Sequence, residues 1–170
     1  HGALGVPGPL HQVRQHGARV AGSPARTPRT RPTGPVSLPA APHTGLPVED
    51  VVSDALAALR DRRRAVLVAP PGAGKTTVVP LRLLAEDWLA DQRIVVLEPR
   101  RIAARAAAAR MAHLLGDRVG GIVGYRTGDD SKTGPSTRLE VLTEGILVRM
   151  IQRDPSLEGI GAVVLLSLIH

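Results

Sequence analysis

One segment constrains this chain more than any other: Ala69-Pro70-Pro71-Gly72-Ala73-Gly74-Lys75-Thr76, set between the apolar stretch 65–69 and a helical pattern. A strand, a Gly-rich turn and a helix in that order make a P-loop. Glycines let the backbone approach an anion, whose charge is then met by successive amides and the helix N-terminus. The candidate cofactor-binding residues are therefore Ala69, Pro70, Pro71, Gly72, Ala73, Gly74, Lys75, Thr76 and Thr77. Lys75 would reach the terminal phosphates and Thr76 would ligate magnesium through its hydroxyl, so these two are the candidate catalytic groups. The P-loop pattern opens with Gly where this chain has Ala69, a mild departure at a position that needs only a small side chain. Among 22 basic residues only Lys75 and Lys132 are lysines. A chain that writes Arg for nearly every cation has placed Lys where a compact ammonium is useful.

The surrounding pattern alternates. A short amphipathic helix starts at Leu46-Pro47, with Val51, Val52, Ala55, Leu56 and Leu59 at helical spacing, and ends near 61–64. Strands are predicted at 65–69, 93–98, 121–126, 138–143 and 161–166, and helices at 75–89, 101–115 and 144–153. Strands alternating with helices predict an α/β fold, a three-layer sandwich whose mostly parallel sheet is covered on both faces. Ligands of such sheets bind at the carboxyl ends of the strands, where the loop of residues 69–76 is expected.

Residues 1–45 differ in kind. They hold eight of the 15 prolines and little apolar periodicity, a composition that cannot offset the entropy of ordering its backbone, and are expected to be a disordered Pro/Gly/Arg-rich tail of native or non-native origin. This tail also weakens the inference from net charge. Residues 1–48 carry five Arg and no acid, leaving 17 basic against 15 acidic residues in the remainder, so the total of +7 does not by itself indicate nucleic acid. The absence of Cys excludes disulfides and thiolate metal centres, and no apolar run approaches the roughly 20 residues of a membrane span; both fit a cytoplasmic protein.

A P-loop alone specifies nucleotide, not function, so the later segments must discriminate. After Thr76-Thr77 come Leu97-Glu98-Pro99-Arg100-Arg101-Ile102-Ala103-Ala104, then Val123-Gly124-Tyr125-Arg126 with Asp130-Ser131-Lys132, then Leu142-Thr143-Glu144-Gly145-Ile146-Leu147. Pro99 ends a strand, and two Arg at the next helix start can meet a phosphate backbone beside free amides; a solvated helix face is the plainer alternative. Gly124 and Tyr125 serve sheet packing or function equally. Thr143 suits a helix N-cap. In this order the segments resemble the DEAH-box group of superfamily 2 helicases, most closely the HrpB-type ATP-dependent helicases, over residues 46–165.

The resemblance implies a P-loop NTPase domain of the RecA-like type, the first of two, using ATP and Mg2+ on a single strand of RNA or DNA. It implies nucleic-acid contacts from Arg100, Arg101, Thr143 and Gly145, and stacking of Arg110 on the nucleotide base, against which a plain surface Arg weighs equally. In the family the strand at 161–165 leads into Asp-Glu-x-His, whose acids hold magnesium and orient the attacking water. Here Leu166-Ser167-Leu168-Ile169-His170 follow instead. Residues 166–170 are thus expected to be a non-native end, and the chain as written to lack turnover without that motif and the second domain. A P-loop phosphotransferase and a nucleotide-binding module without turnover are the alternatives. The phosphotransferase explains neither the Pro-Arg-Arg nor the Thr-Glu-Gly segment.

Overall fold

The computed structural model describes residues 42–166; residues 1–41 and 167–170, on which most of the expected tail and non-native end fall, lie outside them. Helix α1 spans Glu49–Arg62. It buries Val52 and Leu56 with Leu59 packed beside them, one face repeating every three to four residues. Glu49 and Asp50 sit at its positive end. Glu49 also accepts from the Thr44 amide at 2.7 Å and hydroxyl at 2.9 Å, and pairs with His43 at 2.8 Å and Arg82 at 3.3 Å. Contacts therefore extend upstream of the boundary expected at Leu46.

One sheet has the order β3-β2-β4-β1-β5, built from β1 (Arg93–Leu97), β2 (Val123–Arg126), β3 (Ser131–Lys132), β4 (Leu139–Leu142) and β5 (Ile160–Leu165). All pairings are parallel except β2 with β3. The carboxyl ends of β1, β2, β4 and β5 consequently share one edge. Alternation of side chains sorts the core into two layers. Ile94, Val96, Leu139 and Val141 face one side, where they meet α1, α2 (Val78–Leu83) and α3 (Arg101–Leu114). Helix α3 presents Ala104, Ala107, Ala108, Met111 and Ala112 there, small residues that let its backbone come close. Val95 and Leu142 face the other side, under Leu147, Ile146 and Met150 of α4 (Glu144–Arg153). This is the predicted three-layer α/β arrangement.

The sequence prediction omitted the two-residue strand β3, which exists only as a hairpin partner of β2, and two further elements differ from it. Residues 65–69 form no strand; Val66 and Val68 are 92% and 88% exposed. A strand is defined by its partner, and these residues join no ladder, while β5 remains an edge strand of the described sheet with Leu165 66% exposed. The helix predicted over 75–89 is reduced to Val78–Leu83. Residues 75–77 are spent in turns closed on Gly74, and Glu86 is extended, with ψ 121°. That conformation lets its carboxylate take Arg60 in two 2.8 Å bonds and the Trp88 indole N–H at 2.8 Å. One 3-10 turn, Asp87–Leu89, follows.

Inside the sheet, Glu140 of β4 has no exposed surface. It is held by Arg126 Nε at 2.7 Å and Arg93 at 3.4 Å. A buried carboxylate survives there because two guanidiniums neutralise it.

Candidate functional site

The loop of residues 69–77 is anchored from below. Ala73 is buried, its carbonyl accepts the Val48 amide at 3.1 Å, and its amide donates to Pro70 at 3.2 Å. The Gly74 carbonyl accepts from Thr77 at 3.1 Å and Val78 at 2.8 Å, which starts α2. Gly72 and Gly74 have φ of 78° and 96°, a region costly to residues with a Cβ. At Gly74 space is also limiting, since a Cβ would lie 2.8 Å from Leu46 Cδ1 and 3.1 Å from both Val48 and Val78. At Gly72 it would meet nothing within 4 Å. Gly74 is therefore packed against the fold while Gly72 faces open space, as a loop with one supported and one accessible side requires.

These turns leave the amides of Gly72, Gly74, Lys75 and Thr76 uncommitted among the described residues, a donor set suited to phosphate oxygens. The Lys75 ammonium folds back onto the loop, donating to the Ala69 carbonyl and, at 2.8 Å, to that of Pro70. Carbonyl oxygens stand where a cation needs anionic partners, and Lys75 must exchange them to meet a phosphate. Thr76 is half-buried beside Thr77, whose hydroxyl leans on the Gly74 carbonyl at 3.5 Å.

The second group lies at the carboxyl edge of the sheet. Beyond β1, Glu98 is buried while Pro99, Arg100 and Arg101 are exposed, with Arg101 opening α3. Beyond the adjacent β4, Thr143 stands at the N-cap position of α4 and Gly145 follows in its exposed first turn. The sheet thus brings Arg100, Arg101, Thr143 and Gly145 to one edge. Thr143 makes no side-chain capping bond, contrary to the expectation, so its hydroxyl does not close the helix. Arg110 is exposed nine residues along α3 from Arg101, about 14 Å at 1.5 Å per residue.

Sequence reasoning missed the partners of Arg101. Arg101 lies 3.1 Å from Asp129, and Arg105, one turn on, lies 3.7 Å from Asp129 and 3.4 Å from Asp130. The Tyr125 hydroxyl donates to Asp130 at 2.6 Å, which pushes the phenol pKa up, and Arg105 stacks 5.9 Å from its ring. Asp129 is held below the usual carboxylate range by its own amide and the Thr127 hydroxyl, with Arg101 and Arg105 adding their charge. Tyr125 and Gly124 are packed in the sheet: Tyr125 is buried, and a Cβ at Gly124 would lie 2.5 Å from the Lys132 carbonyl. The Gly-Asp-Asp run after β2 is a turn signal, but its arginine partners are set by the sheet.

A five-stranded, mostly parallel sheet of this layout is that of a helicase RecA-like domain. The chain is 51% identical over 122 residues to the ATP-dependent RNA helicase HrpB of Escherichia coli, covering 72% of this chain and 15% of that protein. It is 36% identical over 121 residues to human ATP-dependent RNA helicase DHX33, covering 71% of this chain and 17% of the relative. A crystal structure of the E. coli DEAH/RHA helicase HrpB superposes with a TM-score of 0.67 at 52% identity, over 71% of this chain and 15% of that one. No family model matches. At fragment level the chain matches the DEAH/RHA helicases, and it spans about 15% of the length of HrpB. Among the described residues no helix is long and apolar enough to cross a membrane.

Proposed function

We propose that this chain supplies the nucleotide-binding part of an ATP-dependent helicase that couples ATP hydrolysis to movement along a single strand of RNA or DNA. The observation that carries it is the loop of residues 69–77: two left-handed glycines, uncommitted amides at Gly72, Gly74, Lys75 and Thr76, and a lysine resting on its own carbonyls. The identity to HrpB over the same segment supports the class.

In this reading the loop amides hold the phosphates, Lys75 leaves the Ala69 and Pro70 carbonyls to neutralise the terminal ones, and the Thr76 hydroxyl faces Mg2+. Magnesium held by the Thr76 hydroxyl would supply neutralisation of charge on the phosphates. Arg100 and Arg101 contact strand phosphates from one strand end, Thr143 and Gly145 from the neighbouring one, so β1 and β4 set their spacing. Arg110 stacks on the base, where a guanidinium plane reads a π-face and gives little base selectivity. A second RecA-like domain of the parent chain supplies the other wall of the cleft. The phosphotransferase alternative accounts for the loop but gives the shared edge of Arg100, Arg101, Thr143 and Gly145 no role.

The test is titration of ATP with Mg2+ against the Lys75→Ala variant. Loss of a charge-assisted hydrogen bond worth about 1.5–3 kcal/mol predicts roughly 10- to 150-fold weaker binding. Unchanged affinity would remove Lys75 from the phosphate site.

A further inference from the structure

The contact between Arg101 and Asp129 is the feature that the proposed function does not absorb. Arg101 belongs to α3 and Asp129 to the β2–β3 turn, so the pair joins two elements at the sheet edge. The acidic turn is built, not loose. The Thr127 amide donates to the Asp130 carbonyl at 2.8 Å, its hydroxyl donates to Asp129 at 3.1 Å, and Tyr125 holds Asp130 from the buried side. Arg105 bridges both acids. Yet Arg101 and Asp129 are themselves 62% and 57% exposed, so their ion pair is open to competition from solution.

We propose that Asp129 is an intramolecular competitor for the strand: it occupies Arg101 when no nucleic acid is present, and a strand phosphate must take its place. This rests on the reading of Arg101 as a phosphate contact. Three observations carry it. The carboxylate lies at hydrogen-bonding distance from the guanidinium assigned to the strand; the turn is braced so that the acid does not simply swing away; and the pair is exposed enough for exchange. An exposed pair of this kind is weak, so it tunes affinity instead of blocking binding. Arg105, with its two acids, stays as the fixed brace while Arg101 exchanges.

The experiment measures binding of a labelled single-stranded oligouridylate to the intact chain across a salt series, for Asp129→Asn, Arg101→Gln, their double variant and Asp54→Asn. Asp54, exposed on α1 with no ion pair among the described residues, controls for net charge. Asp129→Asn is expected to tighten binding on the order of threefold at low salt and to steepen the salt slope. Asp54→Asn should do neither, and the gain should vanish in the Arg101→Gln background. Unchanged or weaker binding by Asp129→Asn overturns the proposal, as does a gain that survives loss of Arg101 or is matched by Asp54→Asn. If Arg101→Gln alone leaves binding unaltered, the strand-contact reading itself fails. If Arg101→Gln weakens binding while Asp129→Asn is silent, only the competition fails. Thermal unfolding of each variant separates these outcomes from misfolding.

Discussion

Replacing Gly74 by Ala perturbs the nucleotide loop in a way whose size follows from its surroundings. The added Cβ would lie 2.8 Å from Leu46 Cδ1 and 3.1 Å from Val48 Cγ1 and Val78 Cγ2, at φ 96°. Left-handed backbone costs a residue with a Cβ about 1–2 kcal/mol. Leu46 can rotate its methyl aside, but the two valines are β-branched and stiff, so overpacking adds about 1 kcal/mol at the low end of its usual range. Gly74→Ala should therefore destabilise by about 2–3 kcal/mol. Gly72→Ala carries the backbone cost alone, about 1–2 kcal/mol, because nothing lies within 4 Å of its Cβ. Urea unfolding of both variants gives the comparison. Val48→Ala in the Gly74→Ala background should recover part of the packing loss, a coupling absent from the Gly72 pair. Equal destabilisation at the two glycines, or no coupling to Val48, would refute the picture of one supported and one open side.

Charge removal at Arg100 and Arg101 together should weaken single-strand binding and flatten its salt dependence by about 0.7 in log-log slope for each strand phosphate no longer neutralised, read by fluorescence titration; an unchanged slope returns both residues to a solvated helix face. Glu140→Ala should cost about 3 kcal/mol in chemical denaturation, the low end for breaking a buried pair, because Arg93 and Arg126 are 28% and 35% exposed and can still reach water. Glu49 is held at about 2, well below its ordinary 4.5, by the Thr44 amide first and then His43. With the folded pKa depressed, its stabilisation is fully present above pH 4.5 and is lost as pH falls toward 2; Glu49→Gln should remove that part of the acid transition, seen as a flatter stability profile in the same window.

Sequence by itself determined the local elements whose pattern is self-contained. Helix α4 covers the predicted span, Glu144–Arg153, and β1 lies within the predicted strand. The helix predicted over 101–115 is α3, Arg101–Leu114, but its alanines lie on every face, and packing decided that Ala104, Ala107, Ala108 and Ala112 are buried while Ala106 and Ala109 are exposed. The α/β class followed from the alternation of strands and helices, and Gly72 and Gly74 stand out in the sequence at the two positions where the loop backbone is left-handed. Tertiary structure alone decided whatever needs a second segment. Residues 65–69 have strand composition but no ladder partner, and hydrophobicity cannot say whether a partner exists. The helix expected at 75–89 gave way to turns on Gly74 and to a Glu86 whose conformation serves Arg60, 26 residues earlier. The Arg101–Asp129 pair and the Arg93–Glu140–Arg126 group join residues distant in the chain, and only the strand order β3-β2-β4-β1-β5 brings them together. Charge pairing depends on distance in space, which periodicity along the chain does not encode.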